Sequence, residues 1–502
     1  MSWHIFCFYI LVMNRIYSTI IFLTLCFGLS AQSTDTLVLN LNQAILMAQQ
    51  QSPDAIAARH NFRSQYWNYC YFKANYLPSL VFSSNPNFDH SINVIPHSDG
   101  TSDFIPQNQL IADGTLTLNQ NIALTGGRIF AYSALQRLDI LEYNYTSYKS
   151  SPIVIGYEQS LLGHNGLKWD KKIEPLRFEE AKKSYVETME YVASRTLSRF
   201  FNLAMAQTNL QIAQTNYANA DTLYLFAQGR YAIGTITENE MLQLEISRLT
   251  EESNMLNAQI DLEDYMQDLR AYLSLNDQPQ IVVQVEEAVP ALALDPVSVL
   301  QLALENSPDI LAMKRRLLES DRYVSQAKAS RGFELNLFAQ FGLSQTDKNF
   351  KQVYREPLNQ QSVRFGIRIP ILDWGRGKGA VRVAQSNRDM TRTQVERDRS
   401  NFEQNIVKMV KQFNIQPGKV DIAAKTDKTA ERRGEVARRL YILGKSTILD
   451  LNASIVEKDS AKRSYISSLY NYWSLYYSLR GFTLYDFEKD LLLTEDYEAL
   501  IK

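Results

Sequence analysis

Cysteine and histidine, from which most metal sites and disulfide frameworks are built, are scarce in this sequence. The chain has three cysteines and five histidines. Cys7 and Cys26 fall in an N-terminal segment that we expect to be removed, which leaves Cys70 alone and allows no intrachain disulfide. The histidines that follow the N-terminal segment show no metal-ligand spacing, and no nucleophile motif is present. The sequence therefore predicts no metal site, no cofactor and no enzymatic activity.

An excess of charge of one sign is also missing. Lysine and arginine total 52 residues against 54 for aspartate and glutamate, which gives a formal net charge of -2. Proteins that bind nucleic acids usually carry a clear basic excess, because they must neutralise phosphates. We therefore expect no nucleic-acid partner.

Long apolar runs are confined to the N-terminus. Asn14-Arg15 followed by the apolar stretch Ile16–Leu29 is typical of a secretory signal, and we predict a signal peptide over residues 1–31, with Met13 as a possible true start. An uncleaved membrane anchor is the alternative, and lipidation of Cys26 stays open. The rest of the sequence has no apolar run of 18 residues, so a mature chain that spans a membrane must do so with strands in a closed barrel.

The stretch Val363–Pro370 alternates strictly between apolar and polar residues. Because side chains of a strand point to opposite faces in turn, Arg364 and Arg368 share one face with Gly366. The opposite face is apolar and consists of Val363, Phe365, Ile367 and Ile369. One interpretation is an edge strand of a soluble antiparallel sheet. The other is a transmembrane barrel strand with a lipid face and a lumen face, which would make the two arginines candidates for the lumen.

Other segments have strand character in both halves of the chain. The predicted strands are Leu80–Phe88, a hairpin over Leu116–Leu138 turned at Thr125-Gly126-Gly127, Ile153–Leu161, Glu334–Leu343 and Val363–Ile369. The segment Asn85–Asp113 is rich in Pro, Asn, Ser and Gly and is predicted to be a loop. Four to six strands cannot close a barrel, for which about eight is the minimum, so several chains would have to share one.

Very long helices occupy most of the remaining sequence. A helical pattern runs over Leu39–Tyr76 with an internal start at Ser52-Pro53, and another runs from Lys168 to about Arg230. The latter is some 60 residues, or roughly 90 Å. A helix of that length has to be paired along its length, as in a coiled coil or a helical barrel. Later helices are predicted over Thr237–Leu275, from near Ala380 with an interruption at Pro417-Gly418, and over Thr447–Leu479.

An aromatic cluster closes the last of these helices. Six of the eight residues of Tyr470-Asn471-Tyr472-Trp473-Ser474-Leu475-Tyr476-Tyr477 are aromatic or leucine. The cluster is interpreted as helix packing, with an interfacial aromatic belt as the alternative.

The chain contains an internal duplication. Ser52-Pro53-Asp54 aligns with Ser307-Pro308-Asp309, and Tyr231-Ala232-Ile233-Gly234 aligns with Tyr441-Ile442-Leu443-Gly444. An acid follows each glycine six residues later, as Glu240 and Asp450. The predicted organisation is a first repeat over residues 32–276 with strands within 79–162 and a helical hairpin over 168–275, a linker over 277–295, a second repeat over 296–485 with strands within 334–369 and a helical hairpin over 376–480, and a tail over 486–502.

With these features together, the chain resembles the TolC family of outer-membrane efflux proteins. The duplicated Ser-Pro-Asp starts, Leu77-Pro78 at a strand start, Ile369-Pro370 at a strand end and the two Tyr-x-x-Gly breaks carry the resemblance. It implies a mainly α-helical homotrimer in which each chain gives about two strands per half to a shared barrel in outer-membrane lipid. It also implies a long helical barrel in the periplasm, a periplasmic adaptor and an inner-membrane transporter. The hairpin Leu116–Leu138 is an addition to that pattern.

The resemblance also assigns roles to particular residues. It implies that an adaptor docks at the breaks marked by Tyr231, Gly234, Tyr441 and Gly444. Glu240 and Asp450 then become candidates for a constriction, where carboxylates from three chains would favour cations. The alternative for each acid is an ordinary first-turn residue favoured by the helix dipole. The rival to the channel as a whole is a soluble periplasmic coiled-coil scaffold that conducts nothing.

Overall fold

The computed structural model describes residues 36–276 and 279–501. The predicted signal peptide, Met13 and Cys26 lie outside the described residues. The helices are α1 Leu41–Gln51, α2 Pro53–Ala74, α3 Gly166–Ala232, α4 Glu238–Tyr272, α5 Pro296–Asn306, α6 Pro308–Arg331, α7 Arg376–Ile442, α8 Ile448–Thr483 and α9 Tyr497–Ile501. The strands are β1 Thr36–Asn40, β2 Ser79–Ser83, β3 Asn87–Pro96, β4 Ser102–Ile122, β5 Gly127–Ile140, β6 Tyr145–Ser160, β7 Gln280–Gln284, β8 Glu334–Asp347, β9 Leu358–Arg368, β10 Tyr485–Asp486 and β11 Leu491–Leu492.

The chain divides into two compact units, and each unit draws on both sequence repeats. Among the described residues, the first unit contains 36–53, 195–276, 279–289 and 423–470. The second contains residues 54–194, 290–422 and 471–501. Three of the boundaries fall inside the long helices α3, α7 and α8, because a helix of that length extends beyond any one compact unit.

The first unit is helical apart from a parallel pair of short strands. β1 and β7 pair from Thr36 opposite Gln280 to Asn40 opposite Gln284. The predicted helix start at Leu39 is wrong, because this residue lies in β1, where it is buried, and α1 begins at Leu41. Asn40 caps that helix by accepting a hydrogen bond from the Gln43 N–H at 2.8 Å.

The predicted linker between the repeats therefore carries an ordered strand. Ile281 of β7 is fully buried. The Gln207 side chain of α3 donates to the Ile281 carbonyl at 2.9 Å and accepts from the Val283 N–H at 3.3 Å. These bonds satisfy backbone groups of β7 that have no partner strand in a two-stranded sheet.

The helix α7 is continuous where an interruption was predicted. It extends from Arg376 to Ile442 with Pro417 inside it, so the predicted break at Pro417-Gly418 is wrong. A proline inside a helix costs about 3 kcal/mol through a lost hydrogen bond and a steric clash. Phe413 and Val420 are buried on either side of the proline, and we attribute the continuity of the helix to the burial of this face.

The second unit contains the large sheet and the helices α5, α6 and α9, with nearly all of α2. Ser307 precedes α6 and accepts a hydrogen bond from the Asp309 N–H at 3.2 Å, as the Ser-Pro-Asp motif predicts. Arg315 of α6 holds Glu180 of α3 with two bonds, from Nε at 2.6 Å and from Nη2 at 2.9 Å. This bidentate pair fixes α6 along α3.

The aromatic cluster at the end of α8 is helix packing. Tyr472, Tyr476 and Tyr477 are all buried. The Tyr472 hydroxyl donates to the Pro290 carbonyl at 2.8 Å, and its ring lies 5.1 Å from that of Phe413. The packing interpretation is therefore confirmed for these rings, because each lies in the protein interior.

The large sheet is antiparallel throughout and has the order β2-β4-β5-β6-β8-β9, with β3 also paired to β4. The predicted loop over Asn85–Asp113 is wrong, because most of it forms β3 and β4, joined by a short turn at residues 97–101. The prediction failed because Pro and Asn, which are depleted in strands, are frequent in this segment, whereas pairing with β4 makes β3 a strand. The predicted hairpin turn at Gly126 is confirmed, with a φ of +78°.

Candidate functional sites: the helix breaks and the two-faced sheet

The two Tyr-x-x-Gly breaks have the same backbone geometry. In the first, the Gly234 N–H bonds to the Tyr231 carbonyl and the Thr235 N–H to the Arg230 carbonyl, both at 2.9 Å. In the second, Gly444 and Lys445 bond in the same way to Tyr441 and Leu440 at 2.9 Å. This is the Schellman arrangement, in which a left-handed residue ends a helix, and both glycines have positive φ.

Both predicted acids begin the returning helices. Glu240 accepts from the Thr237 N–H at 3.0 Å while the Thr237 hydroxyl accepts from the Glu240 N–H at 3.2 Å. Asp450 accepts from the Thr447 hydroxyl at 2.7 Å, and the same hydroxyl accepts from the Asp450 N–H at 3.2 Å. Each acid is thus part of a capping box. Bonds from Thr447, above all that of its hydroxyl, lower the pKa of the Asp450 carboxyl.

The structure brings the two breaks together through one apolar cluster. Leu223 and Ala227 of the first hairpin, Leu244 across its break and Leu451 of the second hairpin are all buried in it. Tyr441 packs against the cluster, and burial raises the pKa of its hydroxyl, with Glu240 adding to the rise and Arg230 opposing it. The predicted residues of both breaks therefore occupy one end of the paired helices.

Apolar side chains remain exposed around these breaks. Ile233 is 75% exposed and Leu443 is 67% exposed, each one residue before the glycine of its break. Further exposed apolar side chains near the breaks are Leu225, Phe226, Tyr231, Ile442 and Leu449. Sequence reasoning had singled out the tyrosines, including Tyr231, and the glycines but missed the other exposed side chains. The sequence could have indicated Ile233 and Leu443, because both occupy the same position in the two aligned motifs.

The large sheet has an apolar face and a polar face. Cross-strand pairing places Leu80, Leu118, Ala131, Ile155 and Phe341 in one row. The four large side chains of that row are between 43% and 65% exposed. The adjacent row, on the opposite face, is Ser79, Asn119, Phe130, Gly156, Gln340 and Ser362. An apolar face this large left exposed marks an interaction surface.

Arg364 and Arg368 lie on the polar face, as the alternation predicts. Arg364 pairs with Phe338 across β8 and β9, and its guanidinium lies 4.7 Å from the centre of that ring. Arg368 pairs with Glu334 across the same strands, with 3.9 Å between Nη1 and Oε2. Arg128 and Glu158 form a further ion pair on this face at 2.6 Å.

A glycine of β6 makes room for an aromatic ring on the polar face. A Cβ at Gly156 would lie 2.2 Å from the Phe130 ring, so only glycine fits there. The tip of the Phe130 ring occupies this gap, and the ring stacks on Phe338 with 5.8 Å between ring centres. The ring thus fixes the side-by-side packing of β5, β6 and β8.

The described part of the chain meets the requirements of neither a membrane-spanning helix nor a metal site. None of its helices is both long and apolar enough to cross a membrane. Across residues 36–276 and 279–501, no group of three or more His, Cys, Asp or Glu side chains is placed to hold a metal ion.

A model of one protein family matches part of the chain. Residues 299–479 match the family model described as outer membrane efflux protein. The predicted resemblance is confirmed. The match over this segment supports the predicted function class, an outer-membrane efflux channel, and the predicted outer-membrane location. No curated protein matches the sequence closely enough to be counted as a relative.

Solved structures share the fold over nearly the whole chain. The CmeC outer membrane channel of Campylobacter jejuni is 17% identical, with a TM-score of 0.64 over 92% of this chain and 88% of that one. The outer membrane protein VceC of Vibrio cholerae is 15% identical, with a TM-score of 0.61 over 88% of this chain and 95% of that one. CusC, whose structures concern folding and transmembrane channel formation, is 14% identical, with a TM-score of 0.61 over 88% of this chain and 91% of that one.

Proposed function

We propose that the protein is a homotrimeric outer-membrane channel that receives substrates from an inner-membrane transporter through a periplasmic adaptor. The observation that carries the proposal is the exposed apolar face of the large sheet. Strands of 11 residues or more, such as β9, are long enough to cross the hydrocarbon core of an outer membrane. Backbone groups can face lipid only if every strand is paired, so the sheet has to close with other copies of the chain.

The polar face of the sheet then lines the water-filled passage. Arg364, Arg368 and the ion pair of Arg128 with Glu158 lie on this face, where charged side chains keep their hydration. A charged group on the opposite face would meet lipid at a cost of about 2–4 kcal/mol near the bilayer centre. This distribution supports the assignment of Arg364 and Arg368 to the lumen.

The helix breaks are the proposed adaptor-docking end. Ile233 and Leu443 occupy equivalent places in the two hairpins and are exposed. An adaptor that contacts both breaks would cover these side chains together with Tyr231 and Tyr441, which flank the same turns. Burial of apolar surface of this kind contributes about 25 cal/mol per Å².

Glu240 and Asp450 are the proposed constriction residues. Their capping bonds place both carboxylates next to the breaks, where copies from three chains would converge at one end of the helical tunnel. A ring of carboxylates attracts cations and repels anions. The capping bonds supply a structural role as well, so a test has to separate charge from helix capping.

The experiment that tests the proposal is reconstitution of the purified protein. We expect it to fractionate with the outer membrane, to require detergent for extraction, to migrate as a trimer on an unboiled gel and to conduct ions across a planar bilayer. A soluble species that does not conduct would overturn the proposal and would favour the periplasmic scaffold. A variant with Val363→Arg on the apolar face should lose insertion, whereas Ser362→Arg on the polar face should retain it.

Pull-down from membranes after chemical crosslinking at the helix breaks would identify the adaptor and transporter. Ile233→Asp combined with Leu443→Asp should abolish that crosslinking while leaving the trimer and its conductance intact. Crosslinking that persists in this variant would contradict docking at the breaks.

A further inference from the structure

We infer that each copy of this chain contributes strands at six successive positions, here called strand rows, to the shared barrel. A trimer then closes an 18-stranded barrel. The inference rests on the proposed function, which supplies the trimer and the membrane. The partner at each sheet edge is a second copy of this chain. The pattern of two strands per half that the resemblance implied would instead give four rows per chain and twelve in a trimer.

The strands β2 and β3 form a single row. Ser83 pairs with Thr115 and Asn87 with Ile111, so both strands pair with β4 in one uninterrupted register. Pro86 interrupts the row because it has no N–H to donate. The gap is bridged by Asp113 of β4, whose carboxylate accepts from the Asn85 N–H at 2.9 Å and whose carbonyl accepts from the Ser84 hydroxyl at 2.5 Å.

The additional hairpin lies inside the sheet. β5 pairs with β4 from Gln109 opposite Ile140 to Ile122 opposite Gly127. On its other side it pairs with β6, which in turn pairs with β8 from the second repeat. The two halves of the sheet are joined only through β5 and β6 among the described strands. The additional hairpin Leu116–Leu138 belongs to β4 and β5. If β5 and β6 stood outside the barrel, β4 and β8 would lack these partners.

Over residues 128–132 of β5, before the register shifts between Tyr132 and Ala134, both faces of the sheet continue across the additional hairpin. One line of paired residues across the apolar face consists of Ile129 of β5, Tyr157 of β6, Ala339 of β8 and Val363 of β9. The adjacent line of paired residues, on the polar face, consists of Arg128, Glu158, Phe338 and Arg364. The hairpin thus has the same lipid-facing and lumen-facing sides as the strands next to it.

The two open edges fit one another. The row of β2 and β3 forms one edge and β9 forms the other, and six is an even number of alternating strands. The edge strand of one copy is therefore antiparallel to the first row of the next, which continues the pattern inside each copy. Phe82 and Phe365 on the two edges are both on the apolar face and both exposed. Exposed edges of this kind pair with another chain unless they are protected.

The number of rows determines the width of the passage. With strands about 4.8 Å apart and tilted by about 40°, 18 strands give a barrel roughly 36 Å across between backbones, whereas 12 give roughly 24 Å. Loops and side chains reduce the free opening. The passage at the membrane end is therefore wide, and the restriction on substrates lies elsewhere along the channel.

The test compares matched positions on β5 and β9 in reconstituted trimers. In a Cys70→Ser background, single cysteines replace Ile129 or Val363 on the apolar face and Arg128 or Arg364 on the polar face. Each cysteine carries an environment-sensitive fluorophore in phosphatidylcholine vesicles. We expect a blue shift and quenching by lipid-attached nitroxide at Ile129 and Val363, and quenching by a water-soluble nitroxide at Arg128 and Arg364.

The outcomes separate this inference from the proposed function. Lipid quenching at Val363 with water quenching at Ile129 would show that β9 crosses the membrane and the hairpin does not, which overturns the six-row count alone. Water quenching at both positions would overturn the proposed function. Electron cryomicroscopy of the unmodified trimer provides the second measurement, in which 18 strands support the inference and any smaller count overturns it.

Discussion

Gly234 and Gly444 adopt the same left-handed conformation at equivalent turns, with φ of +73° and +69°. Each lies two residues after the end of a helix of 67 residues, and each is followed by a capping box. The two repeats thus keep one turn geometry at the same end of their hairpins. Both glycines face open space, so conformation alone requires them.

The first prediction concerns these turns. Gly444→Ala should lower the free energy of unfolding by about 1 kcal/mol, because alanine is strained at positive φ even where its Cβ has room. Gly229→Ala is the matched control, since this glycine lies inside α3, also faces open space and lacks a positive φ. The control should be stabilising by about 0.5–1 kcal/mol. Thermal unfolding in detergent measures both, and equal shifts would contradict the prediction.

The second prediction separates charge from capping at Asp450. Asp450→Ala and Asp450→Asn both remove the carboxylate charge, whereas asparagine retains an oxygen that can cap α8. If the carboxylate is part of the constriction, both variants should raise single-channel conductance or reduce the preference for cations. Glu435→Gln, at an exposed acid elsewhere on α7, should change neither property. Unchanged conductance and selectivity in both Asp450 variants would leave Asp450 with the capping role only.

The third prediction concerns Arg480, whose side chain is 15% exposed. Its guanidinium lies 2.9 Å from Glu190 and 3.0 Å from Asp486, and both acids are almost completely buried. Arg480→Met should destabilise the protein by about 3–5 kcal/mol, because it leaves two buried carboxylates without their cation. Arg399→Met, which removes an exposed pair with Glu403, should cost less than about 1 kcal/mol. Denaturant unfolding in detergent compares the two.

The fourth prediction is a pH dependence that originates at Glu187. This side chain lines a cavity of about 330 Å³ with Tyr191, Tyr477 and Phe482, and burial, with a smaller contribution from Asp309, raises its pKa from 4.5 to about 7. Between these two values the folded state holds a proton that the unfolded state has released. Stability from this group is therefore complete below pH 4.5 and falls as the pH rises to about 7, by at most about 3 kcal/mol.

Glu187→Gln removes that titration. We expect the variant to be more stable than the unmodified protein at pH 8 and to show a smaller loss of stability between pH 5 and pH 8. Glu179→Gln, at a more exposed acid on the same helix, serves as the control and should leave the slope unchanged. A slope that is identical in the Glu187 variant would show that the carboxyl titrates normally.

The fifth prediction uses neighbouring residues on the two faces of β9. Val363→Arg should reduce the amount of protein in the outer membrane and lower its unfolding free energy in vesicles by about 2–4 kcal/mol near the bilayer centre. Ser362→Arg places the same side chain on the polar face. It should leave the amount of protein in the outer membrane unchanged and alter the unfolding free energy by less than about 1 kcal/mol. Equal effects would mean that the two faces meet the same environment.

Several elements could be predicted because their signals are local. The strand around Val363, the Ser-Pro starts at Ser52 and Ser307, and the glycine breaks at Gly234 and Gly444 each depend on residues within a few positions of one another. Periodicity, capping and positive φ are properties of such short stretches. Duplication strengthened these predictions, because the same pattern occurred twice.

The errors arose where distant residues decide the outcome. β3 has a polar composition and becomes a strand because β4 supplies its hydrogen bonds. Pro417 remains in a helix because Phe413 and Val420 are buried on either side of it. The short strand β1 forms only because β7, more than 200 residues later, pairs with it. Ladder partners and burial of this kind leave no trace in a local window.

The sequence by itself thus determined the helical class, the duplication, the two-faced strands and the family resemblance, because these depend on local spacing and on order along the chain. Only the tertiary structure decided which strands are neighbours. It placed β5 and β6 between β4 of the first repeat and β8 of the second, joined the breaks at Gly234 and Gly444 through one apolar cluster, and divided the chain into compact units that cut across both repeats. Those arrangements depend on hydrogen bonds and packing between residues far apart in the sequence, which composition and periodicity do not record.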